Sequence, residues 1–165
     1  MRYVERFATT RARLRVYLAR KVRERGWDGG FDPDFEGIAT KFARQGYVDD
    51  SAYALAKSQA LSGRGFGKRR LIEKLRAAGV EEGDSEGARG HADEEAVNAA
   101  VRFAQRRRIG PFAAEPPRDP KEREKMLGAM IRAGHSFALA KALIDLTPGS
   151  EIDLADLTER FVANR

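Results

Sequence analysis

Apolar residues recur along this chain at the spacing of a helix and almost nowhere at the spacing of a strand. Leu14, Tyr17, Leu18 and Val22 follow an i, i+3, i+4, i+8 pattern. Phe35, Ile38, Ala39 and Phe42 repeat it, as do Val97, Ala100, Val101 and Ala104. Leu127, Met130 and Ile131, then Ala140, Leu143 and Ile144, then Leu154, Leu157 and Phe161 carry it to the C-terminus. Each set lines one face of a helix, because 3.6 residues per turn brings positions three and four apart together. No stretch alternates apolar and polar for long, and no tight-turn signal joins two alternating runs. The expected fold class is all-α.

Punctuation residues divide the helices. Asp32-Pro33-Asp34 offers a cap, then a proline whose missing N–H costs nothing at a first helical position, then an acid at the positive end of the dipole. Asp119-Pro120 repeats the device, and Ser136 and Asp153 are further caps. Gly26, Gly46, Gly79 and Gly134 each follow a periodic run and suit the left-handed conformation of a helix stop. Helices are therefore expected over 11–25, 33–45, 50–62, 67–78, 94–108, 121–133, 137–146 and 153–164, with a short one over 2–8. Residues 110–120 hold four of the six prolines and read as a loop anchored by Phe112, whereas the polar, acidic, glycine-bearing stretch 81–93 reads as a mobile linker or a frayed helix.

Three of the stops are alike. Val22 before Gly26, Leu75 before Gly79 and Met130 before Gly134 each stand four residues ahead of the glycine, and the glycines lie 53 and 55 residues apart. That length holds three short helices, so the expected architecture is an elongated array of tandem three-helix, helix-turn-helix-like repeats. The divisions are a first repeat over 1–47, a central repeat over 48–93 with the acidic linker at 81–93, a third repeat over 94–147, and a capping helix over 148–165. In that last segment Leu154, Leu157 and Phe161 would cover an end of the stack.

Composition excludes several classes of function. There is no cysteine, hence no disulfide, thiolate nucleophile or cysteine metal site. No apolar run approaches a membrane span of roughly 18 residues, and MRYVERFATTRARLR has no apolar centre for a signal peptide, so a cytoplasmic protein is expected. SGRGFGKRR imitates a phosphate loop, but Ser62 stands where a glycine is needed and Arg69 where Ser or Thr is needed. Asp32, Asp34 and Glu36 imitate a calcium loop whose twelfth position is Ala43 instead of glutamate. His91 and His135 fall in the acidic stretch and in a helix–helix turn, with no ligand spacing and no nucleophile partner in the sequence. The expectation is no catalytic residue, no cofactor, no metal and no small-molecule substrate.

What remains is binding. The net charge of +6 is distributed in blocks: +7 over 1–25, −4 over 28–50, +6 over 57–76, −6 over 81–95 and +4 over 102–108. Such blocks suit a macromolecular partner, although solvated helix faces produce them too. Arg64, Lys68, Arg69, Arg70, Lys74 and Arg76 surround one short helix whose Leu71, Ile72 and Leu75 should point inward. Arg106, Arg107 and Arg108 close another helix, where the dipole alone favours cations. The candidate binding residues are Arg64, Lys68, Arg69, Arg70, Lys74, Arg106, Arg107 and Arg108. A phosphate backbone or an acidic protein groove would suit them.

One ordered set of motifs is specific. Gly46-Tyr47-Val48-Asp49-Asp50, then Gly63-Arg64-Gly65-Phe66-Gly67-Lys68-Arg69-Arg70-Leu71, then Leu75-Arg76-Ala77-Ala78-Gly79-Val80 closely resemble the central signature of the RecX family. Arg106-Arg107-Arg108-Ile109-Gly110-Pro111 and Arg132-Ala133-Gly134-His135-Ser136-Phe137 continue the resemblance, which covers residues 45–147 well and 9–45 more loosely. It implies a non-enzymatic regulator of the RecA recombinase, built of tandem three-helix repeats. Such a protein lodges in the groove of the RecA–DNA filament, inhibits ATP hydrolysis and strand exchange, and so modulates DNA repair, recombination and the SOS response. The implied partners are RecA and its nucleoprotein filament, with single- or double-stranded DNA as a further direct partner and no membrane. In that family a further amphipathic helix follows the position of Val80; here the acidic tract takes its place. A sequence-tolerant DNA-binding helix-turn-helix protein is the alternative, although no helix face gathers the Asn, Gln and Arg of a base-reading set.

Overall fold

The computed structural model describes residues 8–163, and the helix expected over 2–8 lies almost wholly outside them. Nine α-helices and two 3₁₀ turns make up the described residues, with no strand among them. The helices are α1 (Arg11–Arg25), α2 (Phe35–Arg44), α3 (Asp50–Gly63), α4 (Lys68–Ala77), α5 (Glu86–Glu94), α6 (Ala96–Arg107), α7 (Pro120–Arg132), α8 (Phe137–Ile144) and α9 (Leu154–Ala163). The turns are Gly83–Ser85 and Gly110–Phe112. The all-α expectation is met, and most boundaries fall within a residue or two of those read from periodicity and caps.

The caps act as the sequence implies, with one shift. Asp119, Ser136 and Asp153 each accept a hydrogen bond from a backbone N–H two or three residues on. At α2 the cap is Asp34 instead of Asp32: its carboxylate accepts from the Gly37 N–H at 2.8 Å, so the helix starts two residues after Pro33. Thr10 caps α1 by accepting from the Arg13 N–H, and its hydroxyl donates to the Ala78 carbonyl at 2.6 Å. The four expected glycine stops all have positive φ, between 69° and 96°.

The chain divides into two compact units. One comprises residues up to Ala56 together with Lys74–Ala88; the other comprises Lys57–Glu73 together with residues from Arg89 onward. In the first, Leu14, Ala39 and Val48 are buried, with Tyr17, Leu18 and Phe42 packed on them. Its polar centre is Arg11, whose backbone N–H and side chain both reach the buried Asp50 and whose guanidinium also pairs with Asp84 and Glu81. In the second unit, Val97, Ala100, Phe103 and Ala104 of α6 pack with Met130 of α7 and with Leu139, Leu143 and Ile144 of α8. Leu157 is buried there and Phe161 packs on the same core, whereas Leu154 is 46% exposed. Phe112 is half-buried on the same core, the anchor expected of it.

The acidic stretch differs from its reading as a linker or frayed helix. Residues 83–85 form a 3₁₀ turn that runs straight into α5. Its buried stripe is Ser85, Ala88 and Ala92, side chains too small to register as apolar periodicity. Its charge is compensated too: Asp84 is held by Arg11 and by the Ser51 hydroxyl, and Asp93 by Lys68. A Cβ on Gly87 or Gly90 would meet nothing within 4 Å. These glycines lie on the open face, each weakening the helix by about 1 kcal/mol relative to alanine without breaking it. The double substitution Gly87→Ala and Gly90→Ala should therefore raise stability by about 1–2 kcal/mol, read as a shift of the urea midpoint at constant slope. An unchanged or lowered midpoint would count against an ordered α5.

Candidate interaction surface

The turn between α3 and α4 is built by its glycines. Gly65 has φ +76° and lies where a Cβ would be 2.8 Å from the Phe103 nitrogen and 3.1 Å from the Ala99 carbonyl oxygen. The peptide of Gly65 is thus pressed against the backbone of α6. Its carbonyl accepts a hydrogen bond from Nε2 of His135 at 3.1 Å. His135 is 2% exposed, its ring 5.6 Å from that of Phe103, and burial holds its imidazole down at about 4 even though the Gly65 carbonyl favours the charged form. Gly67 donates to the Ala133 carbonyl at 2.9 Å and Arg69 to the Gly134 carbonyl at 3.2 Å. The amides of Arg64, Gly65 and Phe66 donate to Leu61 and Ser62. A phosphate loop would turn such amides outward; here they are spent within the fold.

Arginines close over this turn. Arg102 and Arg106, one helical turn apart on α6, donate to the carbonyls of Ser62 and Arg64 respectively. They satisfy backbone acceptors at the negative end of α3 and just beyond it. The Phe66 ring has the guanidinium of Arg64 at 5.5 Å and that of Arg106 at 5.8 Å, and Arg106 also lies 5.5 Å from the Phe103 ring. Arg102 pairs with Glu95 at 2.9 Å; this hydrogen bond is the main reason the Glu95 carboxyl lies below its ordinary range.

The eight candidate residues separate by what they already touch. Lys68 is tied to Asp93 at 2.6 Å and Arg70 to Glu73 at 2.9 Å, so both are partly neutralised. Arg64 and Arg106 are held on Phe66. Arg69, Lys74, Arg107 and Arg108 are exposed, and none has a carboxylate partner among the described residues. Lys74 belongs to the first compact unit and the other seven to the second. Leu71 and Leu75 are buried at 1% and 3% and Ile72 is half-buried, as the sequence implied. Arg108 has φ +53°, alone in that region among the described non-glycine residues, at a helix stop where glycine is the unstrained choice. Arg102 was not among the candidates; its i, i+4 spacing to Arg106 was the available signal.

One sequence expectation needs correcting. His91, read as lacking a nucleophile partner, has the Ser58 hydroxyl 3.0 Å from its Nδ1. Ser58 is 0% exposed on α3, so this hydroxyl cannot meet a substrate as the fold stands. In the second unit the exposed guanidinium groups of Arg69, Arg107 and Arg108 have the chemistry for bidentate binding of phosphates or carboxylates. No helix among the described residues is long and apolar enough to cross a membrane.

The protein is all-helical over its described residues and carries exposed cations that have no carboxylate partner among them. At the level of sequence it is 33% identical over 155 residues to the regulatory protein RecX of Myxococcus xanthus, covering 90% of this chain and 83% of that one. It is 31% identical over 153 residues to the regulatory protein RecX of Mycobacterium sp. (strain JLS), covering 90% and 81%. Against the protein of that name from Agrobacterium fabrum it is 31% identical over 152 residues, covering 89% and 80%. No family model and no solved structure matches the chain. The chain belongs to the RecX family of regulatory proteins.

Proposed function

We propose that this protein regulates the RecA recombinase as a cytoplasmic, non-enzymatic partner, lodging its tandem helical repeats in the groove of the RecA–DNA filament. It inhibits ATP hydrolysis and strand exchange there, and so modulates DNA repair and recombination and the SOS response. The observation that carries this reading is the set of exposed cations without carboxylate partners among the described residues, Arg69, Lys74, Arg107 and Arg108, in a chain of this family. Unpaired surface cations add little to folding stability and are available to an acidic groove or a phosphate backbone. Keeping arginine at the left-handed position of residue 108 also fits a binding role, since strain of this kind persists where function needs the side chain.

The test is a variant carrying Arg69→Ala, Lys74→Ala, Arg107→Ala and Arg108→Gly, the glycine preserving the backbone conformation. Its helical circular dichroism and melting temperature should match or exceed those of the wild type, since exposed substitutions usually cost under about 0.5 kcal/mol. The concentration needed to inhibit the DNA-dependent ATPase of RecA should rise at least about tenfold, the equivalent of 1.4 kcal/mol. Wild-type inhibition by the folded variant would remove these four residues from the mechanism. A gel shift on bare DNA without RecA, lost in the same variant, would favour the DNA-binding alternative.

A further inference from the structure

A second surface lies in the first compact unit, includes none of the four cations tested above, and does not depend on the RecA reading. Residues Ala12, Val16, Arg13 and Arg20 of α1 face Arg76 and the Ala77-Ala78-Gly79 stop of α4 across a groove of about 460 Å³. The two sides approach closely at one end, where a Cβ on Gly79 would collide with the Cβ of Ala12. Beyond that point the floor is apolar, and Val16 lies 71% exposed in it. A β-branched side chain that far out of the core contributes little to folding and is free to be covered by something else.

The rim has one sign of charge. Arg13 is fixed by donating to the Tyr53 hydroxyl at 2.8 Å and by lying 5.4 Å over the Tyr53 ring, and no carboxylate among the described residues engages it. Arg76 has no carboxylate partner among the described residues either. Arg20 makes a 3.7 Å pair with Glu24, which Lys21 holds more tightly at 2.6 Å. Among the described residues no acidic one lines the groove. Arg13 and Arg20 lie seven residues apart on α1, two turns or roughly 10 Å, with Val16 between them.

We propose that this groove is a docking site for an acidic amphipathic segment of a protein partner. Its apolar side chains cover Val16 and its carboxylates engage Arg13, Arg20 and Arg76. A phosphodiester backbone would use the arginines and leave the apolar floor wet. A second copy of the same face would set arginine against arginine. An acidic helix with one apolar stripe satisfies both the floor and the rim, the usual grammar of helix-in-groove recognition.

The experiment uses the full chain and a fluorescein-labelled 14-residue peptide of leucines spaced three and four apart with glutamate elsewhere, titrated by anisotropy. Two comparison probes are the same peptide with serine for leucine and a labelled oligothymidylate. The leucine peptide should bind at least tenfold tighter than the serine peptide. Val16→Asp and Arg76→Glu should each weaken it at least tenfold with the helical signal intact, while Lys125→Ala, at an exposed residue outside both candidate surfaces, leaves it unchanged. If Val16→Asp loses helix, Arg76→Glu decides alone. Equal binding of both peptides would reduce the groove to a charge effect and overturn the proposal, as would full affinity in a folded groove variant. Oligothymidylate binding tighter than the leucine peptide and lost in the same variants would reassign the face to nucleic acid.

Discussion

Replacing Gly67 with alanine should destabilise the second compact unit by about 3 kcal/mol or more, in the range of severe core lesions. A Cβ there would press on the Gly134 carbonyl oxygen, 2.5 Å from its carbon and 2.7 Å from the His135 nitrogen. These are backbone atoms, which cannot swing aside as a side chain would. Separating the two turns to relieve the clash breaks the Gly67-to-Ala133 and Arg69-to-Gly134 hydrogen bonds. Each lost bond leaves buried polar groups unpaired at about 1–3 kcal/mol. With about 2–4 °C of melting temperature per kcal/mol for a chain this long, the midpoint should fall by roughly 10 °C. Gly63→Ala is the control: nothing lies within 4 Å of its would-be Cβ, and its melting temperature should stay close to that of the wild type. A Gly67→Ala midpoint within about 2 °C of the wild type would mean the two turns are not locked together.

Gly67 also marks the boundary of what the sequence discloses. SGRGFGKRR fails the phosphate-loop pattern at Ser62 and Arg69, yet nothing in the spacing of its glycines says why they are there. The reason is Gly134, sixty-seven residues later, whose own turn packs on theirs. The helices, their caps and their stops were legible because they depend on neighbours three and four residues away. Helix α5 was not, because its buried stripe is made of Ser85, Ala88 and Ala92 and its acids are neutralised by Arg11 and Lys68, both distant in sequence. The same blindness affects the charged surface. Lys68 and Arg69 are adjacent and equally basic, but the fold gives Asp93 to the first and no carboxylate among the described residues to the second. Sequence located the basic residues; only three-dimensional pairing separates the cations already held by a carboxylate from those with none among the described residues.

His135 supplies the other large effect, a loss of stability in mild acid. The ring is buried against Phe103, donates through Nε2 to the Gly65 carbonyl, and is held near 4 against an ordinary value of 6.5. In the unfolded chain it takes up a proton near 6.5; in the folded protein it resists doing so until about 4. Because the depressed group is a base, its cost is absent above pH 6.5 and grows as pH falls toward 4, where the unfolded state binds the extra proton. The slope should approach about 1.4 kcal/mol per pH unit, accumulating on the order of 3 kcal/mol. The carboxyls of Glu95 and Asp145 also lie below their ordinary values, but their stabilisation is lost at lower pH, as it falls from about 4.5 and 3.8 respectively through their folded values. The interval from pH 6.5 to 5 therefore isolates the imidazole. Urea midpoints measured at pH 7.0, 6.0 and 5.0 should fall steadily for the wild type. His135→Gln keeps an N–H donor for Gly65 but cannot titrate, so it should start less stable and stay nearly level over the same range. A level wild-type profile, or an equal slope in the variant, would remove His135 as the source of acid sensitivity.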